Sequence, residues 1–126
     1  PLYPATDPLT RYPSSDEFAD GYGLDRADTD WYNEQYAPEP GHWRAAPLAA
    51  DLAGLPPTVL MTAGLDPLRD QGRAFAAKLV QAGVETTFCE AAGMVHGFAT
   101  FRQIIPSAQG DVRVALDAAL SMLNRG

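Results

Sequence analysis

An α/β fold built on a parallel sheet is predicted by three observations. The chain from Thr58 onward alternates strand, helix, strand, loop and helix. Its first strand is a short apolar run closed by glycine, and its last helix carries an apolar stripe at 3.6-residue spacing. In chain order, Leu2-Tyr3 reads as the stump of a strand ending at Pro4. Residues 14 to 37 are less regular. Asp28-Thr29-Asp30 has the polar start of a helix with Asp28 as N-cap, which puts Trp31, Tyr32, Gln35 and Tyr36 on one face. Those aromatics pack either into the core or into a lid over an apolar pocket.

Thr58-Val59-Leu60-Met61-Thr62-Ala63-Gly64 suits a central parallel strand buried on both faces. Asp70 to Ala82 follows as a helix with Phe75, Leu79 and Ala82 on one stripe and Gly83 as its stop. Val84 to Glu90, rich in β-branched and aromatic residues, is the next strand. A glycine-containing loop runs from Ala91 to Phe101. The last helix starts near Asp111, with Val112, Ala115, Leu116, Ala119, Leu120 and Leu123 on one face. Two or three strands are fewer than an open sheet usually has, so the βαβα scaffold at 58–126 reads as truncated.

Composition narrows the function. The 126 residues make one domain, and a net charge of −7 argues against nucleic-acid binding, which needs a basic face. Up to Pro57 there are ten acidic and three basic residues with nine of the eleven prolines; after it the charges balance. The first part is thus a solvated covering layer, the second a compact scaffold. No apolar run is long enough to span a membrane. The lone Cys89 forms no internal disulfide and favours a reducing, cytoplasmic compartment, and no targeting segment is visible. Two His and one Cys supply no recognisable metal shell, and no cofactor is implied.

Two residues can carry chemistry. Asp66 follows the first strand and His96 follows the second, so both fall at the carboxyl ends of parallel strands, where ligands gather in open sheets. Neighbouring strands lie about 4.8 Å apart, which brings the two side chains within hydrogen-bonding reach. A carboxylate accepting from one imidazole nitrogen fixes the tautomer and leaves the other nitrogen as a base. Blander readings stand beside this one. Asp66 before Pro67 also suits a helix start, Asp70 suits the positive end of the helix dipole, and His42 suits a surface or packing role. Cys89 reads as a small buried hydrophobe with nothing basic beside it.

The run from Leu55 to Gly72, centred on Asp66-Pro67-Leu68-Arg69-Asp70, resembles the catalytic-acid segment of the hormone-sensitive lipase family of serine esterases. Gly93-Met94-Val95-His96-Gly97-Phe98 resembles the same family's histidine loop, and Leu2-Tyr3-Pro4, Gly21-Tyr22-Gly23-Leu24, Trp31-Tyr32 and Tyr36 fit upstream. The resemblance implies the C-terminal part of an α/β-hydrolase fold with part of its cap at about 14–37. It implies Asp66 as triad acid and His96 as general base, in the family's order of Ser, acid, His. It nominates Tyr22, Leu24, Trp31, Tyr32, Val95 and Phe98 as substrate contacts, for a small acyl ester.

Ser14, Ser15, Ser107 and Ser121 all lack a GxSxG context, so the nucleophile and the oxyanion hole are expected upstream of this chain. The chain alone is then expected to be inactive. It is also expected to associate, through an open sheet edge, with itself or with an N-terminal part of the same protein. The alternatives are a non-catalytic α/β binding or assembly module, or a related peptidase or dienelactone hydrolase.

Overall fold

The computed structural model describes residues 1–36, 39 and 42–125. The expected cap segment ends at Ala37 and the expected scaffold at Gly126, and both of these residues lie outside the described ones. The elements in chain order are α1 (Pro13–Glu17), α2 (Arg26–Tyr36), a 3₁₀ turn at Pro47–Ala49, β1 (Thr58–Leu65), α3 (Arg69–Gln81), β2 (Thr86–Val95) and α4 (Ala108–Leu123). The two strands pair in parallel, as a βαβ unit demands. Leu2 adds a parallel bridge to Met61 on the other side of β1, with Tyr3 N–H donating to the Met61 carbonyl at 2.6 Å. The expected strand stump is therefore a single bridge.

Side-chain alternation along β1 builds a core on each face of the sheet. Met61 and Ala63 join Ala91, Met94 and Phe98 of the β2 side under Ala108 and Ala115 of α4. Leu60 faces the other way, into Leu52, Phe75, Ala76, Leu79 and Val84 on the α3 side. With both faces covered, β1 reads as a continuous apolar run and not as an alternating one.

Several elements depart from the sequence reading. The second strand begins at Thr86 and continues to Val95, so the first half of the expected 91–101 loop is strand. The last helix starts three residues earlier than Asp111, just after Ser107. Its inner face is made of Ala108, Val112 and Ala115, while Leu116, Leu120 and Leu123 of the expected stripe are 56%, 56% and 76% exposed. In α2, Asp28 lies in the first turn instead of at the N-cap, and its carboxylate reaches back to accept from the Asp25 N–H at 3.1 Å. No residue of α2 is buried, so Trp31, Tyr32 and Tyr36 are not core residues among the described ones.

Candidate active site

The last paired residues of the sheet are Leu65 and Val95, and the residues that follow them are Asp66 and His96. Because the strands are parallel, both side chains emerge at the same carboxyl edge. His96 Nδ1 lies 2.8 Å from Asp66 Oδ2. A carboxylate can only accept, so this contact places a proton on Nδ1, and in the neutral ring Nε2 then carries the lone pair. Asp66 is only 1% exposed and its other oxygen accepts the Leu68 N–H at 2.8 Å. The His96 side chain remains 28% exposed. Gly97 follows with φ of 76°, the left-handed turn that drops the chain away from the imidazole. The Tyr3 ring meets the imidazole edge-on at 4.8 Å and Phe98 at 5.6 Å.

A shift in strand register produces this alignment. Ala63 pairs with Ala91, an offset of 28, but Leu65 pairs with Val95, an offset of 30. The two extra residues on β2 form a bulge, without which Asp66 would stand beside Met94. Gly64 permits the bulge, because the Ala92 backbone occupies the space where a Cβ on residue 64 would sit. A glycine that reads in sequence as a strand terminator thus works inside the strand.

A cavity of about 430 Å³ opens beside His96, lined by Leu2, Tyr3, Leu24, Tyr32, Leu68 and Gln71 among others. Of the residues nominated from sequence, the structure gathers Leu24 and Tyr32 with His96 around this space. Tyr22 instead packs edge-on against Phe18 at 5.0 Å, and Trp31 packs on Tyr32 at 5.2 Å. Phe98 is fully buried in the α4-side core, and Val95 is half-buried at the strand end. Gln71 was not singled out in sequence, yet it is buried, lines the cavity and accepts the N–H groups of Thr6 and Asp7 at 2.6 and 2.9 Å. A glutamine in a helix carries no signal of such a distant contact.

Charged groups flank the acid turn. Arg69 binds Glu17 and Asp70, each at 2.9 Å, and donates to the Gly64 carbonyl at 3.2 Å. Arg73 joins Asp70 at 3.1 Å to Glu90 at 2.6 Å. The Arg73 guanidinium holds the Glu90 carboxyl below its ordinary range. Burial pushes the Asp70 carboxyl up, but Arg69, the Ser14 N–H and Arg73 outweigh it and leave it lowered. Farther out, hydrogen bonds from Arg11 and Arg26 bring Asp16 down to about 2. Burial pushes the Cys89 thiol up, which suits an inert side chain. His42 stacks on Trp43 at 5.9 Å, away from the site. Among the described residues, no three or more His, Cys, Asp or Glu side chains converge as metal ligands, and no helix is long and apolar enough to cross a membrane. No serine of the described residues hydrogen-bonds His96; the Ser14 and Ser15 hydroxyls donate to the Pro67 carbonyl instead.

The chain is similar to known proteins in sequence and in fold. A family model described as the alpha/beta hydrolase fold matches residues 1–100. The carboxylic ester hydrolase LipN of Mycobacterium tuberculosis is 33% identical over 129 residues, covering 98% of this chain and 34% of that protein. The ethyl acetate hydrolase of Pseudomonas putida is 34% identical over 121 residues, covering 93% of this chain and 38% of that protein. An α/β-hydrolase enzyme from the metagenome of Lake Arreo, Spain, superposes with a TM-score of 0.83 at 40% identity, over 96% of this chain and 39% of that structure. The chain therefore spans little more than a third of the length of these relatives.

Proposed function

The chain belongs to the alpha/beta hydrolase fold family, and on that premise we propose that it supplies the acid and the base of a carboxylic ester hydrolase. The observation that carries the proposal is the 2.8 Å contact between His96 Nδ1 and buried Asp66. In this reading Asp66 holds the imidazole in one tautomer, and His96 Nε2 takes the proton from a serine hydroxyl as its oxygen attacks the ester carbonyl. The imidazolium then returns that proton to the departing alkoxide, leaving an acyl-enzyme. His96 next deprotonates water for attack on the acyl carbon, and the serine leaves with the proton. The serine and the oxyanion hole come from sequence outside these 126 residues, since none of the four serines here has an elbow context.

The cavity beside His96 takes the ester. Leu24, Thr29, Tyr32 and Asn33 form part of its wall, and in this reading the stretch that carries them belongs to a cap. The similarity to the ethyl acetate hydrolase of Pseudomonas putida supports a small acyl ester as substrate. In the complete enzyme, His96→Ala is expected to lower kcat for a short-chain aryl ester by roughly three orders of magnitude or more. Near-parental turnover by a folded His96→Ala enzyme would remove His96 from the mechanism.

A further inference from the structure

The turn that carries Asp66 is held by a residue far away in sequence. Ser14, fully buried in α1, makes three hydrogen bonds to this turn. Its hydroxyl donates to the Pro67 carbonyl at 2.9 Å and accepts the Asp70 N–H at 3.1 Å. Its own N–H donates to Asp70 Oδ2 at 2.9 Å. Leu68, the N-cap residue of α3, makes no side-chain cap hydrogen bond of its own. A free amide at that helix start is thus satisfied by α1, and one at the start of α1 is satisfied by α3. Each helix caps the other across a separation of 56 residues.

That arrangement bears on Asp66 through its backbone. Pro67 has no N–H to anchor the turn, so the segment depends on its carbonyl and on the amides that follow it. Asp66 Oδ1 is aimed by the Leu68 N–H, and the Asp66 carbonyl accepts the Arg69 N–H at 3.0 Å. Ser14 grips both the residue before Leu68 and the residue after Arg69. Arg69 adds a strut, reaching from Asp70 to the Gly64 carbonyl while its guanidinium covers the Phe18 ring at 4.9 Å.

We infer that Ser14 and Asp70 are positioning residues, a reciprocal clasp that fixes the 66–70 turn so that the Asp66 carboxylate stays aligned with His96. The inference rests on the proposed esterase reading of the site. It also explains the second acid of the Asp66-Pro67-Leu68-Arg69-Asp70 run, which the chemistry itself does not use.

The test is steady-state hydrolysis of a short-chain aryl ester by the complete enzyme, with rates normalised to folded protein. Ser14→Ala is expected to lower kcat roughly tenfold or more with KM near the parental value, because a displaced acid affects the transition state and leaves the cavity intact. Asp70→Ala is expected to do the same. Asp70→Asn keeps an acceptor for the Ser14 N–H and is expected to recover most of the loss. A clasp that served stability alone would lower the folded fraction and leave kcat per folded molecule unchanged, which would overturn the inference. Equal kcat for Asp70→Ala and Asp70→Asn would also overturn it, and this pair decides the matter if Ser14→Ala does not fold. A parent enzyme without His96-dependent hydrolysis would overturn the esterase reading, and the clasp with it. His96-dependent hydrolysis that is indifferent to the clasp variants would overturn the clasp alone.

Discussion

Gly64 of β1 lies directly against the backbone of Ala92 in β2: a Cβ at residue 64 would fall 2.6 Å from the Ala92 Cα. The bulge that this closeness permits moves β2 by two residues, and the shift is what sets His96 beside Asp66. Gly64→Ala should therefore affect both stability and activity. Backbone cannot swing aside as a side chain does, so a loss of about 1–3 kcal/mol or more is expected in urea unfolding. The surviving folded enzyme should show a lowered kcat, because the register that aligns the pair is the part displaced. Parental stability and rate together would mean that the bulge tolerates a methyl group.

Asp66→Asn separates orientation from basicity. The amide can present its NH₂ to Nδ1, which puts the imidazole proton on Nε2, the nitrogen proposed as the base. In the complete enzyme kcat should fall by roughly three orders of magnitude with little change in KM. The rate should recover partially at high pH if hydroxide substitutes for the lost base. A variant within tenfold of the parent would show that another group orients His96.

The parallel pairing and the placement of the acid and histidine were legible because each depends on local pattern. An apolar run ending in glycine marks β1, and residues just past two parallel strand ends share an edge whatever the rest of the fold does. The bulge was not legible, since Ala91 to Met94 has neither strand alternation nor β-branched residues and is held as strand by Gly64 across the ladder. Asp28 was misplaced because Asp serves equally at the N-cap and two or three residues inside it. Ser14 and Gln71 gave no warning at all. Their partners lie 56 and 65 residues away, so only the tertiary structure reveals what they hold.

The charged network beside the acid turn should make the protein acid-sensitive. Glu90 is held below its ordinary 4.5 chiefly by Arg73, and Asp70 is held below 3.8 despite its burial. A carboxyl whose folded pKa is depressed stabilises the fold fully above its unfolded pKa, and loses that contribution as pH falls through the folded value. Urea midpoints should thus be flat from neutrality down to about pH 5 and then decline steeply. Glu90→Gln should lower the neutral-pH midpoint and flatten part of the acid decline. An unchanged pH profile in that variant would show that solvent screens the pair.

The outer face of α4 is apolar and open to solvent. Leu116, Leu120 and Leu123 project from the helix at more than half exposure, with Val114 at 54%. Next to them, a cavity of about 550 Å³ is lined by Pro1, Pro56, Pro57, Val59, Ala119, Met122 and Leu123 among others. On that side of β1, the Leu2–Met61 bridge is the only strand pairing among the described residues. An apolar helix face beside open backbone donors and acceptors favours association, because burial removes oily surface from water and satisfies the edge at once. The isolated 126-residue chain should therefore sediment as a dimer or larger species, or bind a complementary N-terminal chain of its own fold. Replacing Leu116, Leu120 and Leu123 together with Lys should shift it toward the monomer without melting α4, since all three are solvent-facing and Lys is a good helix former. Without a positioned serine the same chain should also show no ester turnover. A parental chain that stays monomeric across micromolar concentrations would refute the association, and His96-dependent hydrolysis by the chain alone would place a nucleophile within these residues.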